Sequence, residues 1–245
     1  MSNELIVSQQ SIDALDQAAH EGMLAQNEES QFSRMFKTAQ AIDKLKNLLT
    51  PKVMEPIMNL QNNSIGFKTD NKAGYPLDVV KNCLIEATLK GVFPVGNEFN
   101  IIAGNCYITK EGFGHKLRDV PNFSWIETPG IPRSVGETGA IIKVKLEWTL
   151  NGKSKDKELE LAIRVNKMMG SDAIIGKAIR KARAWLFTAV TGQEVGDGES
   201  DADVINVKAE AVSPFEAVPA DNADLFNMEN SDEAANASEL DEIPM

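Results

Sequence analysis

The stretch from Ile141 to Val165 constrains the fold more than any other. Ile142, Val144, Leu146, Trp148 and Leu150 alternate with Ile141, Lys143, Lys145, Glu147 and Thr149. Beyond Asn151-Gly152, Leu159, Leu161, Ile163 and Val165 alternate with Glu158, Glu160, Ala162 and Arg164. A period of two sets each group on one face of a strand. Asn-Gly supplies the two left-handed residues of a type I′ turn. The stretch therefore predicts a long antiparallel hairpin with one face packed on a core and one polar.

The next segment, Ser171–Val190, predicts an amphipathic helix. At 100° per residue Ile174, Ile175, Ala178, Ile179, Ala182, Trp185, Leu186 and Ala189 fall on one side. Lys177, Arg180, Lys181 and Arg183 fall on the other. Ser171 or Asp172 is the expected N-cap, and Gly192 sits just past the end. The apolar side, Trp185 and Leu186 included, is expected in the core.

Upstream, helical periods run over Ser33–Thr50, Lys52–Asn62 and the stretch PLDVVKNCLIEATLKG from Pro76 to Gly91. Pro near the first helical position and Gly just past the end suit the last of these. Glu98–Ala103 and Cys106–Thr109 flank Gly104-Asn105 and predict a second hairpin. Glu111–Arg118 predicts a short helix, Asn122–Glu127 a strand and Thr128–Gly139 a loop. Helices and antiparallel hairpins segregate rather than alternate, which is an α+β class.

Charge divides the chain. Residues 1–30 carry six acids and no Lys or Arg; residues 31–191 carry 24 basic and 15 acidic residues; residues 192–245 carry 15 acids and one Lys. The overall −11 therefore hides a body of net +9 between acidic ends. Three regions are expected: an acidic, mostly flexible segment at 1–30, a basic α+β core at 31–192 and an acidic disordered tail at 193–245. A basic body points to an anionic partner, most often nucleic acid. No apolar run reaches the length that spans a bilayer. Two cysteines, Cys83 and Cys106, offer no disulfide framework and fit a reducing cytoplasm.

Enzyme signatures are weak. Gly152-Lys153-Ser154 mimics the end of a phosphate-binding loop, but the Gly required five residues earlier is Glu147. The two histidines have no metal-ligand spacing to the cysteines. Cations instead recur beside apolar positions: Lys110, His115, Lys116 and Arg118 around Phe113, Lys143, Lys145 and Arg164 on the hairpin, and Lys177, Arg180, Lys181 and Arg183 on the last helix. A groove lined this way would track a phosphate backbone. Trp125, Trp148 and Trp185 occupy apolar-stripe positions and are expected in the core rather than as stacking platforms. The end ELDEIPM, with Asp241, Glu242, Ile243, Pro244 and Met245, resembles the acidic, hydrophobic-ended tip with which bacterial single-stranded-DNA-binding proteins dock partners.

The run NIIAGNCYITKEGFGHKLRDVPNFSWIE resembles the hairpin–helix–strand centre of the RecT family of single-strand annealing proteins, to which phage Red beta also belongs. LDVVKNCLIEATLKGVFP and GKAIRKARAWLF are similar to that family's preceding helix and late basic helix. The likeness covers about residues 34–192. It implies binding of single-stranded DNA and of the annealed duplex, annealing without ATP or another cofactor, and self-assembly into rings or filaments. It also implies an exonuclease or replication partner, and a phage or prophage protein acting in the bacterial cytoplasm. The Gly- and Pro-rich stretch Pro129–Gly139 departs from the family's pattern. A plain single-strand binder that protects strands and recruits partners through its tip is the alternative.

Overall fold

The computed structural model describes residues 7–166 and 168–195. Within them the fold is α+β: helices α1 (Gln9–Ala25), α2 (Gln31–Leu48), α3 (Pro51–Met58), α4 (Leu77–Leu89), α5 (Lys110–Arg118) and α6 (Ser171–Thr191), with strands β1 (Phe99–Ile102), β2 (Asn105–Ile108), β3 (Phe123–Pro129), β4 (Arg133–Val135), β5 (Gly139–Leu150) and β6 (Lys153–Arg164). The segment beyond residue 195, with its acidic tip, lies outside the described residues.

The segment expected to be flexible, 1–30, is largely α1. Its N-cap is Ser8, whose hydroxyl accepts from the Ser11 N–H. Its buried residues are Ala18, Ala19, Gly22 and Ala25. Small side chains give little hydrophobic signal, yet they let helices approach closely. A Cβ on Gly22 would overlap Leu89 Cδ2 and lie 3.0 Å from Ala41 Cβ, so α1, α2 and α4 meet there. Ser30 and Thr50 cap α2 and α3 in the same way as Ser8.

α4 is the hub of this half, burying Val80, Cys83, Leu84, Ile85, Ala87 and Leu89. It packs against α1, α2 and α3 and against the β1–β2 hairpin. That hairpin turns at Ala103 and Gly104 (φ 50° and 78°), one residue earlier than Gly104-Asn105. Thr109 caps α5: its hydroxyl accepts from Gly112 N–H and donates to Asn97 O at 2.6 Å.

The second sheet has β5 at its centre. β6 pairs along its whole length, from Gly139↔Arg164 to Leu150↔Lys153, across the expected Asn151-Gly152 turn (φ 49° and 75°). On β5's other side β3 pairs from Phe123↔Leu150 to Pro129↔Val144, and β4 pairs Arg133↔Ile141 to Val135↔Gly139. Thr128–Gly139, expected as a loop, thus holds the end of β3 and all of β4. Both are edge strands, where proline is tolerated because no ladder N–H is needed on the open side.

α6 covers the apolar face of this sheet. Ile174, Ala178, Ala182 and Leu186 are buried, as are Ala140, Ile142, Val144, Leu146 and Ile163. α6 also packs against α5, and Arg180 and Phe187 are buried on another side of the helix. Its N-cap is Gly170, with no side-chain cap from Ser171 or Asp172; Gly192 closes it with φ 72°.

Candidate nucleic-acid interface

The cations of α6 do not form a solvent-facing wall. Arg180 is 2% exposed, its guanidinium 4.4 Å from the centroid of the Tyr107 ring on β2. Arg183 Nε donates to Glu127 Oε1 and Oε2 at 3.0 and 2.9 Å, its Nη2 donates to the same carboxylate, and its Nη1 donates to Lys110 O at 2.5 Å. Lys177 and Lys181 donate to the carbonyls of Arg164 and Ala162, each at 3.4 Å, and so tie α6 to the end of β6. α6 is held between the sheet and α5, and a helix with two neighbours turns its second face inward as well.

The α5 set is also partly structural. Phe113 is 1% exposed. Lys116 Nζ donates to Lys90 O at 2.6 Å and lies 4.7 Å from the centroid of the Phe187 ring. It satisfies a carbonyl at the C-terminus of α4, where a cation complements the helix dipole. Burial pushes its pKa below the ordinary value, with Asp119 opposing. His115 Nδ1 is 2.7 Å from Glu98 Oε1 and its Nε2 is 3.4 Å from Asp119 Oδ2. Lys110 is half-exposed beside Glu111, and Arg118 is exposed.

On the hairpin, Lys143 and Lys145 stand on the polar face. Lys143 Nζ is 2.9 Å from Glu158 Oε1, and Lys145 Nζ is 2.9 Å from Glu147 Oε1. These hydrogen-bonded carboxylates raise both lysine pKa values above the ordinary one. Register adds Glu160 opposite Lys143 and Asp156 opposite Glu147. Arg133, opposite Ile141, and Arg164, opposite Gly139, lie on the same face, so four cations there are balanced by four acids and offer a phosphate backbone no net positive charge. An open concavity of about 710 Å³ at this end of the sheet is lined by residues of both faces, Lys145, Glu147 and Asp156 of one and Trp125, Trp148 and Lys155 of the other. The residues expected to share one groove are thus spread over α5, both faces of the sheet and the interior.

The other face of the same sheet is different. Register aligns Phe123–Leu150–Lys153, Trp125–Trp148–Lys155 and Glu127–Leu146–Lys157 across β3, β5 and β6. Directly opposed residues share a face. The Phe123 and Trp125 rings stack with centroids 5.7 Å apart. Trp148 meets Trp185 of α6 edge-on at 6.1 Å, and Trp185 is 38% exposed. Lys153, Lys155 and Lys157 are exposed, with no hydrogen bond or ion pair among the described residues. Same-face residues of a strand recur about every 6.7 Å, which suits one lysine per phosphate of an extended strand. The acid that register sets on this face, Glu127, is already engaged by Arg183. Four aromatic rings therefore lie beside three uncompensated cations.

The placement of Lys153, Lys155 and Lys157 beside this aromatic row escaped the sequence reading; Trp125 and Trp148 pack against the core as expected, while Trp185 is 38% exposed. The signal was present. Carrying the period of Ile163, Leu161 and Leu159 backwards reaches Lys157, Lys155 and Lys153 on the apolar face. Counting across the two-residue turn sets Lys155 opposite Trp148.

Among the described residues, no group of three or more His, Cys, Asp or Glu is placed to hold a metal ion. No helix among them is long and apolar enough to cross a membrane. The chain matches no family model, no curated protein and no solved structure.

Proposed function

We propose that this protein binds single-stranded DNA and anneals complementary strands without ATP, as its resemblance to the RecT family implies. The observation that supports it most is the row Trp125–Trp148–Lys155 with its neighbours Phe123, Trp185, Lys153 and Lys157. Lysines on one strand hold phosphates, and adjacent rings stack bases, a sequence-tolerant mode of single-strand binding. Unpaired bases held along the end of this face where Lys153, Lys155 and Lys157 are exposed remain available to a complementary strand, and base pairing supplies the specificity. Assembly into rings or filaments, a role beside an exonuclease or replication protein, and a site of action in the bacterial cytoplasm follow from the same resemblance.

The deciding experiment is annealing of two complementary oligonucleotides without ATP, at two salt concentrations. The protein should accelerate annealing, and Lys153→Gln/Lys155→Gln/Lys157→Gln should abolish the acceleration. Trp185→Ala should weaken single-strand binding by about 1–3 kcal/mol, the range for one stacked base. Unchanged annealing in both variants would overturn the assignment. The acidic tip ELDEIPM favours a second reading, a strand-protecting protein that recruits partners. Tight binding with no acceleration of annealing would select it.

A further inference from the structure

α2 has two apolar faces. Ala41 and Leu45 are buried where α2 meets α1 and α4. On the opposite side Phe32, Met35 and Phe36 are 71%, 53% and 60% exposed, and Ala39 is exposed with them. Positions 32, 35, 36 and 39 follow the i, i+3, i+4, i+7 spacing of a helix face that is buried against another surface. Three large apolar side chains within two turns exceed the scattered exposure that is normal at a surface. Further along the same side, Ile42 and Lys46 form one wall of a groove of about 320 Å³, and Ile85 and Leu89 of α4 line the other.

We propose that this surface binds a second copy of the chain, with the two α2 helices antiparallel and crossing at Ala39. Projection and groove lie on one side of one helix. A two-fold axis near Ala39 therefore sets each copy's Phe32–Met35–Phe36 stripe on the other's groove in a single self-complementary contact. Ala39 is small enough to let the helices approach. Charge selects the same occupant. Glu29, just before α2, and Lys46, in its last turn, are exposed and have no ion pair among the described residues. Antiparallel pairing about Ala39 sets Lys46 of one copy opposite Phe32 of the other, three residues or about 4.5 Å along the axis from Glu29 and within reach of a lysine side chain, twice by symmetry. The contact is closed, unlike the head-to-tail repeat that builds rings or filaments, and it does not depend on DNA binding.

The test uses the full chain with Ala39→Cys. Cys83 and Cys106 are 3% and 1% exposed, so the introduced thiol is the one accessible to a partner among the described residues. Mild oxidation with diamide should convert most of the chain to a disulfide-linked dimer, while Lys52→Cys, on exposed α3 surface, should not cross-link. Sedimentation of the unmodified chain without DNA should show dimers at micromolar concentration. Phe32→Asp with Phe36→Asp should raise the dimer dissociation constant about 100-fold or more, because these side chains are the centre of the contact. Both residues are exposed, so the circular dichroism spectrum should be unchanged. A monomer at tens of micromolar overturns the proposal. So does an assembly in which the Ala39→Cys chain fails to cross-link, even if the aspartates dissolve it.

Discussion

Gly112 is the tightest point of α5. A Cβ there would overlap the backbone oxygen of Glu98, which cannot swing aside as a side chain can. Gly114 has a similar constraint, since its Cβ would meet Arg183 Nη1 at 2.7 Å. The Gly-x-Gly of this helix is therefore explained by close approach. Gly112→Ala should destabilise the fold by about 1–3 kcal/mol, the usual cost of overpacking, read as a lowered denaturation midpoint. Gly176 in α6 has open space around its Cβ position. Gly176→Ala should instead stabilise by about 0.5–1 kcal/mol, because alanine loses less backbone entropy in a helix. The cysteines make a third case. Burial pushes the Cys83 thiol from its ordinary value of 9.0 up to about 11, and the Cys106 thiol up to about 12. Both should resist a thiol-specific disulfide reagent at pH 8 until denaturant is added. The native state holds these protons more tightly than the unfolded chain. Their contribution to stability is therefore complete below pH 9 and is lost as pH rises through 11 to 12. A stability profile flat across that range would contradict it.

At the scale of the element, the β5–β6 hairpin carries the proposed interface. Its two faces differ in electrostatics through register alone: Lys143, Lys145 and Arg164 among Glu147, Asp156, Glu158 and Glu160 on one, Lys153, Lys155 and Lys157 beside Trp148 on the other. For single strands the salt slope falls by about 0.7 per phosphate contact. Replacing the three lysines of the second face by Gln should therefore flatten the slope of log affinity against log salt by about 2. Replacing Lys143 and Lys145 should change it little, since their charge is already balanced. A larger effect from the second pair, measured by fluorescence anisotropy, would move the interface to the other face. α6 shows the same principle from the opposite direction. Its apolar stripe was legible at 100° per residue, but its cationic stripe is consumed by Tyr107, Glu127 and the carbonyls of β6.

For the molecule as a whole, charge partition is the dominant feature. Residues 196–245 carry 14 acids and one Lys, so a chain ending at Val195 changes formal charge from −11 to +2. That shorter chain should bind an oligonucleotide more tightly than the full chain at low ionic strength, with the gap closing as salt shortens the Debye length to about 3 Å near 1 M. Equal affinities at low salt would show that the acidic segment has no influence on the basic body. The sequence by itself determined the α+β class, the long hairpin with its Asn151-Gly152 turn, the covering helix and the division of charge, because each is written in local periodicity and composition. Only the tertiary structure decided which cations are free. Arg180 and Arg183 looked exposed on a helical wheel, which describes one buried side, but α6 has two neighbours and buries both. Lys153, Lys155 and Lys157 looked like solvated polar positions, but pairing across three strands sets them beside the aromatic rings, and pairing is a property of chain segments that meet only in the folded state.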